Sequence, residues 1–357
     1  MTIKDDRSTA LIYHPIYLDH SQPLHPESKE RLIHILDRLR ADDALSGLPI
    51  ITPPPATVEE VSQVHDLAYI HSVAEACLSG RPYLDADTYL VPESYQAALY
   101  AAGGALTGLR AIMAGEYRHA FVLCRPPGHH AEKDRAMGFC LFNNIAIAAQ
   151  EARRAYGLRR VAIVDWDVHH GNGTQNFFYT DPEVLFISIH ATPAYPGTGS
   201  ARETGRGRGE GFTVNIPLPT GSGDAEYALM FDRVIIPILD SYQPELILVS
   251  AGQDAYRNDP LGGMKLTYRG FERMTQALKS VAKSWSGGRM LFCLEGGYHL
   301  EGQARAVTYV LNILAGSAPS APKETPPAPP SAASLRRLDE ILALQSKHWP
   351  LKPKEQA

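Results

Sequence analysis

The chain is predicted to fold as an α/β protein, with a mostly parallel sheet covered by helices on both faces. Three observations predict this. Apolar runs of strand length at 10–13, 121–124, 161–164, 184–189, 246–249 and 290–294 alternate with longer helical patterns at 27–40, 92–114, 144–156, 225–239, 268–284 and 301–314. The runs read as strands buried on both faces, as in parallel sheets. Four of them end in a polar cluster, and in open parallel sheets ligands bind outside the carboxyl ends of the strands.

In chain order, the 121–124 run leads into Arg125-Pro126-Pro127-Gly128-His129-His130, and the 161–164 run into Asp165, Asp167 and His169. The 246–249 run is followed by Ser250-Ala251-Gly252-Gln253-Asp254, and the 290–294 run by Glu295-Gly296-Gly297-Tyr298. All four clusters should gather on one rim. No internal repeat is evident. At Ser317 the composition changes: 317–334 is rich in Pro, Ala and Ser and reads as a linker. Residues 335–357 read as a short helix and tail, with Leu335, Leu338, Ile341, Leu342 and Leu344 near helical spacing. That helix either docks on the domain formed by 1–316 or meets a partner.

Composition bounds the function. With 357 residues a full core is easily buried. The formal net charge of −5 offers no basic excess to neutralise phosphates, which argues against nucleic acid as a partner. No run approaches the ~18 apolar residues of a membrane span, and the N-terminus lacks the apolar stretch of a secretory signal, so a cytoplasmic protein is expected. Cys77, Cys124, Cys140 and Cys293 are widely spaced, which fits reduced core cysteines and no disulfide framework.

The most informative stretch is Asp165-Trp166-Asp167-Val168-His169-His170-Gly171-Asn172. Asp167 and His169, two apart, point to the same side of an extended segment. A carboxylate and an imidazole at that spacing suit a divalent metal, with a third ligand from elsewhere and a position left open for water or substrate. A turn rich in hydrogen-bonding side chains is the plainer alternative for this stretch alone.

Together these motifs resemble the zinc-dependent histone deacetylase superfamily, in particular its class II-like branch with bacterial histone deacetylase-like amidohydrolases and acetylpolyamine amidohydrolases. The resemblance spans roughly residues 11–314 and rests on four separated motifs in family order. It implies the arginase-deacetylase fold, with a sheet of about eight strands, and makes 1–316 the catalytic domain. It implies one catalytic Zn2+ held by Asp167, His169 and Asp254, tandem catalytic histidines at His129 and His130, and a carbonyl-polarising tyrosine at Tyr298. Asp165 would hydrogen-bond the first histidine, and Asn172, where class I enzymes carry aspartate, would orient the second without adding charge. A structural K+ would take Asp165, Asp167, His169 and Ser188, and a second such site would lie around Phe178, Asp181, Val184 and Phe212.

For the substrate, the resemblance places Gly138-Phe139 and Tyr195 on the walls of an acyl-lysine tunnel, with Gly296 and Leu261 also facing substrate. The family usually carries phenylalanine where Tyr195 stands, and Phe139 serves equally well as a core residue. Asp87 is either a rim aspartate gripping substrate amides or a cap at a helix start. Arg31 is either the arginine behind the metal or a surface ion pair. The chemistry agrees: amide hydrolysis needs an activated water, a polarised carbonyl and a proton for the leaving amine, with His130 the better general base and Tyr298 a donor to the oxyanion.

Arginase-like enzymes, which use two manganese ions and an Asp-x-Asp pair, are disfavoured by Gly252 two residues before Asp254. Leu261 stands where polyamine-selective relatives place an acidic gatekeeper, which favours acyl-lysine over an acetylated small amine. A non-catalytic acyl-lysine binding module should have lost a ligand or the tyrosine, and neither is missing. The expected partners are therefore an acylated amine and, through a possible homo-oligomer, further copies of the chain.

Overall fold

The computed structural model describes residues 9–317 and 328–351. Eight strands form one parallel sheet: β1 (Thr9–Ile12), β2 (Ile50–Ile51), β3 (His119–Val122), β4 (Val161–Asp165), β5 (Val184–Thr192), β6 (Thr213–Pro219), β7 (Leu246–Ala251) and β8 (Met290–Leu294). Their spatial order is β2-β1-β3-β8-β7-β4-β5-β6. Every residue of β3, β4, β7 and β8 is buried, as their continuous apolar runs require. These four are adjacent in the sheet, and they are the strands whose carboxyl ends carry the polar clusters. Register brings Asp165 level with Ser188 on one side and Ser250 on the other.

The six expected strands and six expected helices are present, with small shifts at their ends. The 27–40 pattern becomes α1 (Glu30–Arg40), because Glu27 is drawn inside by buried arginines. Between α1 and the next expected helix lie two further helices, α2 (Val58–Val61) and α3 (Leu67–Leu78), followed by α4 (Ser94–Met113) and α5 (Asn144–Tyr156). α4 lies tight on the sheet: a Cβ at Gly104 would stand 2.9 Å from Val122, and one at Gly108 2.7 Å from Leu291. After β4 comes α6 (Asn172–Phe178), which the sequence pattern did not announce.

The 225–239 pattern is one rod in three parts, α7 (Asp224–Met230), a π-helical turn at Phe231–Ile235, and α8 (Ile236–Tyr242). Pro237 explains the break, since its missing N–H removes one rung of the helical ladder. α9 (Tyr268–Trp285) and α10 (Leu300–Ala315) complete the covering layers, with α10 packed on α1 and α9. No helix among the described residues is long and apolar enough to cross a membrane.

Most of the expected linker, 318–327, lies outside the described residues. Beyond it, α11 (Ala332–Gln345) packs on β6. Gln345 Nε2 donates to Thr213 O at 3.2 Å, and Trp349 Nε1 to Gly211 O at 2.8 Å. The helix thus covers an edge strand that would otherwise present unpaired backbone groups.

Candidate active site

Asp167, His169 and Asp254 converge where β4 and β7 end. Among the described residues they are the one group of three whose potential ligand atoms all lie within 4.8 Å of one another. His169 Nδ1 is 3.1 Å from Asp167 Oδ1 and 3.2 Å from Asp254 Oδ2. The backbone sets both carboxylates: Val168 N donates to Asp254 Oδ1 at 2.8 Å, and Gly296 N to Asp167 Oδ2 at 2.8 Å. Asp254 Oδ2 is buried and, among the described residues, has only that His169 nitrogen facing it. Two fully buried carboxylates sharing one imidazole leave negative charge unmet. His169 accordingly gains proton affinity: burial opposes the charged ring, but Asp167 and Asp254 outweigh it. The donor set of two carboxylates and one imidazole fits a divalent cation.

Gly252 and Gly296 make room for this cluster. A Cβ on Gly252 would stand 2.0 Å from Asp167 Oδ2, and one on Gly296 2.1 Å from Asp254 Oδ2. Gly296 therefore acts as a backbone donor to the carboxylates and is absent from the cavity lining, where the resemblance placed it.

The tandem histidines follow β3, on the other side of the cluster, with ring centroids 4.0 Å apart. His129 Nδ1 meets Asp165 Oδ2 at 2.9 Å, and its Nε2 is 3.8 Å from Asp167 Oδ1. Burial disfavours its charged form, yet Asp165 and Asp167 push its pKa up to about 10. His130 goes the other way: burial, then the neighbouring His129 and His169, hold it well below the usual range. Its Nδ1 is 2.8 Å from Asn172 Oδ1. The two rings are thus pushed in opposite directions, and His130, the one pushed down, lines the cavity. Ser188, level with Asp165, turns its hydroxyl to His190 Nδ1 at 2.9 Å.

The cavity above this floor has a volume of about 420 Å³. His130, His169 and Tyr298 line it, with Gly138, Phe139, Tyr195, Leu261 and Asp87. The ring of Tyr195 stands edge-on to His130 at 5.1 Å, and Phe139 edge-on to Tyr298 at 5.8 Å. Phe139 is therefore a wall residue rather than core. Leu261 and Tyr195 are exposed at the mouth. Asp87 caps no helix, since α4 starts at Ser94; its carboxyl is raised by burial and by Asp85.

Tyr298 is held at both its ring and its backbone. The Arg31 guanidinium lies over its ring, 5.0 Å from the centroid, and its backbone N–H donates to Asp259 Oδ2 at 2.6 Å. Burial raises its phenol well above the usual value, so it stays a donor. Arg31 is no surface residue. It is fully buried, donating through Nε to Gly297 O at 2.7 Å, through Nη1 to Glu27 Oε1 at 3.0 Å, and through Nη2 to Glu295 O.

Sequence reasoning missed the supports. Glu295, buried at the end of β8, accepts the N–H groups of Gly128 at 2.6 Å and His129 at 3.2 Å. Asp259 anchors Tyr298, and Glu27 joins Arg31 to Arg125. An acidic residue directly after a buried strand was a signal for Glu295; Glu27 and Asp259 sit in ordinary polar loops and gave none.

An all-parallel α/β sheet whose strand ends bring together a trio of potential metal ligands, a histidine pair and a tyrosine fits a hydrolase of the arginase-deacetylase fold. Residues 25–314 match the histone deacetylase domain, and the chain belongs to that family of deacetylase enzymes. It is 40% identical to a probable deacetylase of Archaeoglobus fulgidus over 314 residues, 87% of this chain and 86% of that protein. It is 38% identical over 335 residues to the human polyamine deacetylase HDAC10, covering 90% of this chain and 49% of that one. Among solved structures, the crystal structure of the HDA15 HD domain matches with a TM-score of 0.89 and 39% identity, over 97% of this chain and 96% of the other.

Proposed function

We propose that this enzyme removes acetyl, or a related short acyl group, from the amine of an acylated lysine, with one zinc ion held by Asp167, His169 and Asp254. The observation that carries this reading is the buried, carboxylate-rich trio, its potential ligand atoms within 4.8 Å of one another, at the floor of a cavity walled by Phe139 and Tyr195. When bound, the ion supplies a Lewis acid at the acyl carbonyl and makes water a stronger nucleophile near neutral pH.

The chain's own residues supply the rest. Phe139 and Tyr195 flank the four-carbon stem, with Gly138 leaving room between them, so the acyl group reaches the floor. His130, kept neutral, takes a proton from the attacking water and later returns it to the departing amine. His129, held charged by Asp165, keeps His130 from protonating early and balances the carboxylates. Tyr298, fixed by Arg31 and Asp259, donates to the oxyanion. Potassium at Asp165, Asp167, His169 and Ser188 is part of the same proposal, as a structural ion.

An acetylated polyamine is the second reading, favoured by the carboxylate of Asp87 in the cavity lining, with Asp85 close by. Leu261 at the mouth brings no charge for a distal ammonium and favours acyl-lysine. The test is turnover of the zinc-reconstituted protein on matched acetyl-lysine peptide, trifluoroacetyl-lysine peptide and N-acetylputrescine, with and without a hydroxamate chelator. Hydroxamate-sensitive cleavage led by the peptides supports the proposal; a preference for acetylputrescine transfers the enzyme to the second reading. Tyr298→Phe should keep fold and zinc while kcat on acetyl-lysine falls about 10²–10³-fold. Wild-type turnover in that variant refutes the oxyanion role.

A further inference from the structure

An imidazole accepts a proton through one nitrogen only when the other already carries one. His130 therefore works as a base at Nε2 only if its Nδ1 is protonated. The group facing Nδ1 is the amide of Asn172, at 2.8 Å. An amide alone cannot decide the matter, because its oxygen selects the Nδ1–H form and its NH2 selects the opposite.

A carboxylate settles the choice. Glu132 Oε1 accepts from Asn172 Nδ2 at 2.7 Å and from Asn176 Nδ2 at 3.0 Å. An ionised carboxylate accepts and never donates, so the amide nitrogen must face it. The amide oxygen then faces His130, Nδ1 must hold the proton, and Nε2 keeps its lone pair. The other acceptors near Asn172 Nδ2 are neutral and more distant, His130 O at 3.4 Å and Met137 Sδ at 3.3 Å. Charge-assisted hydrogen bonds are roughly twice as strong as neutral ones, so Glu132 dominates the amide's orientation.

Glu132 is itself pinned. Arg135 Nη2 donates to its Oε2 at 2.7 Å, its backbone N–H donates to Arg135 O at 2.9 Å, and its carbonyl accepts from His65 Nδ1 at 2.8 Å. We propose that Glu132 is a positioning residue that sets the tautomer of His130 through the Asn172 amide. The inference rests on the reading of His130 as the general base, but the tautomer is measurable without turnover.

The experiment is ¹⁵N-imidazole NMR on the zinc-loaded full chain, with the His130 signals assigned by their absence in His130→Gln. The wild type should show Nδ1 protonated and Nε2 bare. Glu132→Gln, which keeps the shape and removes the acceptor-only group, should show the Nε2–H form, alone or mixed. Its kcat on acetyl-lysine peptide should fall about tenfold at unchanged KM. The double variant Glu132→Gln/Asn172→Asp places an acceptor-only group directly on Nδ1 and should restore the wild-type tautomer, a rescue that a merely structural role would not give. An Nε2–H tautomer in the wild type, or an unchanged tautomer in Glu132→Gln, overturns the inference. The expected tautomer changes in a protein that hydrolyses no acyl amine would leave the inference standing and refute the proposed function.

Discussion

Gly296→Ala isolates the metal-binding geometry from the rest of the site. A Cβ at this position would stand 2.1 Å from Asp254 Oδ2 and 2.7 Å from Asp167 Oδ2. Real Cβ atoms essentially never approach a heavy atom within 3.0 Å, so the Asp254 oxygen must retreat by about 0.9 Å. Metal–ligand distances tolerate only about 0.2 Å, so the displacement exceeds the tolerance several-fold. Neither carboxylate has an easy retreat: the N–H of Val168 holds the other oxygen of Asp254, and Gly296 itself holds Asp167. Zinc affinity should fall at least ~100-fold, at the upper end of what disturbing ligand supports costs. The assay is zinc titration against a competing chelator, with the metal-free melting temperature as the check on folding. Gly47→Ala is the control, because nothing lies within 4 Å of a Cβ there. Wild-type zinc affinity in folded Gly296→Ala would refute the assignment of Asp254 and Asp167 as ligands on this face.

Two further perturbations probe what lies behind and beside the site. Glu27 sits between Arg125, at 2.5 Å and 2.7 Å, and Arg31, at 3.0 Å, with none of the three side chains exposed. Glu27→Gln leaves two buried guanidiniums short of a counter-charge and should destabilise the fold by about 3–5 kcal/mol, read from urea midpoints; a loss below about 1 kcal/mol would mean water reaches the cluster. His65 donates through Nδ1 to Glu132 O and accepts the Asn143 N–H at Nε2 at 2.9 Å, and burial pushes its pKa down to about 4. Because the folded value lies below the unfolded one of about 6.5, its contribution is complete above pH 6.5 and is lost as pH falls toward 4. Between pH 7.5 and 5.0 that loss is about 2 kcal/mol, so His65→Gln should show a correspondingly smaller drop in urea-derived stability; parallel profiles would refute the assignment.

How much of this was legible in one dimension depended on the range of each interaction. The sheet was readable because β3, β4, β7 and β8 are buried on both faces and leave unbroken apolar runs. β6 was missed because Thr213-Val214-Asn215-Ile216-Pro217-Leu218-Pro219 mixes polar residues and prolines, tolerable in an edge strand covered by a helix. β2 is two residues long and leaves no pattern at all. The trio and the histidine pair stood out because metal and acid–base chemistry restrict which side chains can serve, and strand ends restrict where. Arg31 was ambiguous for the opposite reason: a buried arginine and a surface one look alike until its partners, 264 and 266 residues away, are in place. The role of Glu132 is equally invisible, since a carboxylate that fixes an amide has the same letter as one that faces water.

The placement of these supports follows from the sheet. Asp165, Asp167, Asp254 and Glu295 are all fully buried within one rim, and burial raises Asp254 and Glu295 to about 7. A parallel sheet can gather so many acids because adjacent strand ends lie side by side, but their mutual repulsion has to be met by protons or cations. His129 meets part of it from beside, tied by its hydrogen bond to Asp165, and His169 meets part of it between Asp167 and Asp254. One imidazole between two carboxylates leaves part of their charge unmet, beside the cavity that His169 lines. A site that only needed stability would have closed that gap with a further arginine. On the proposed function a cation binds there, next to His130 and Tyr298, and that unmet charge ties the fold to its chemistry.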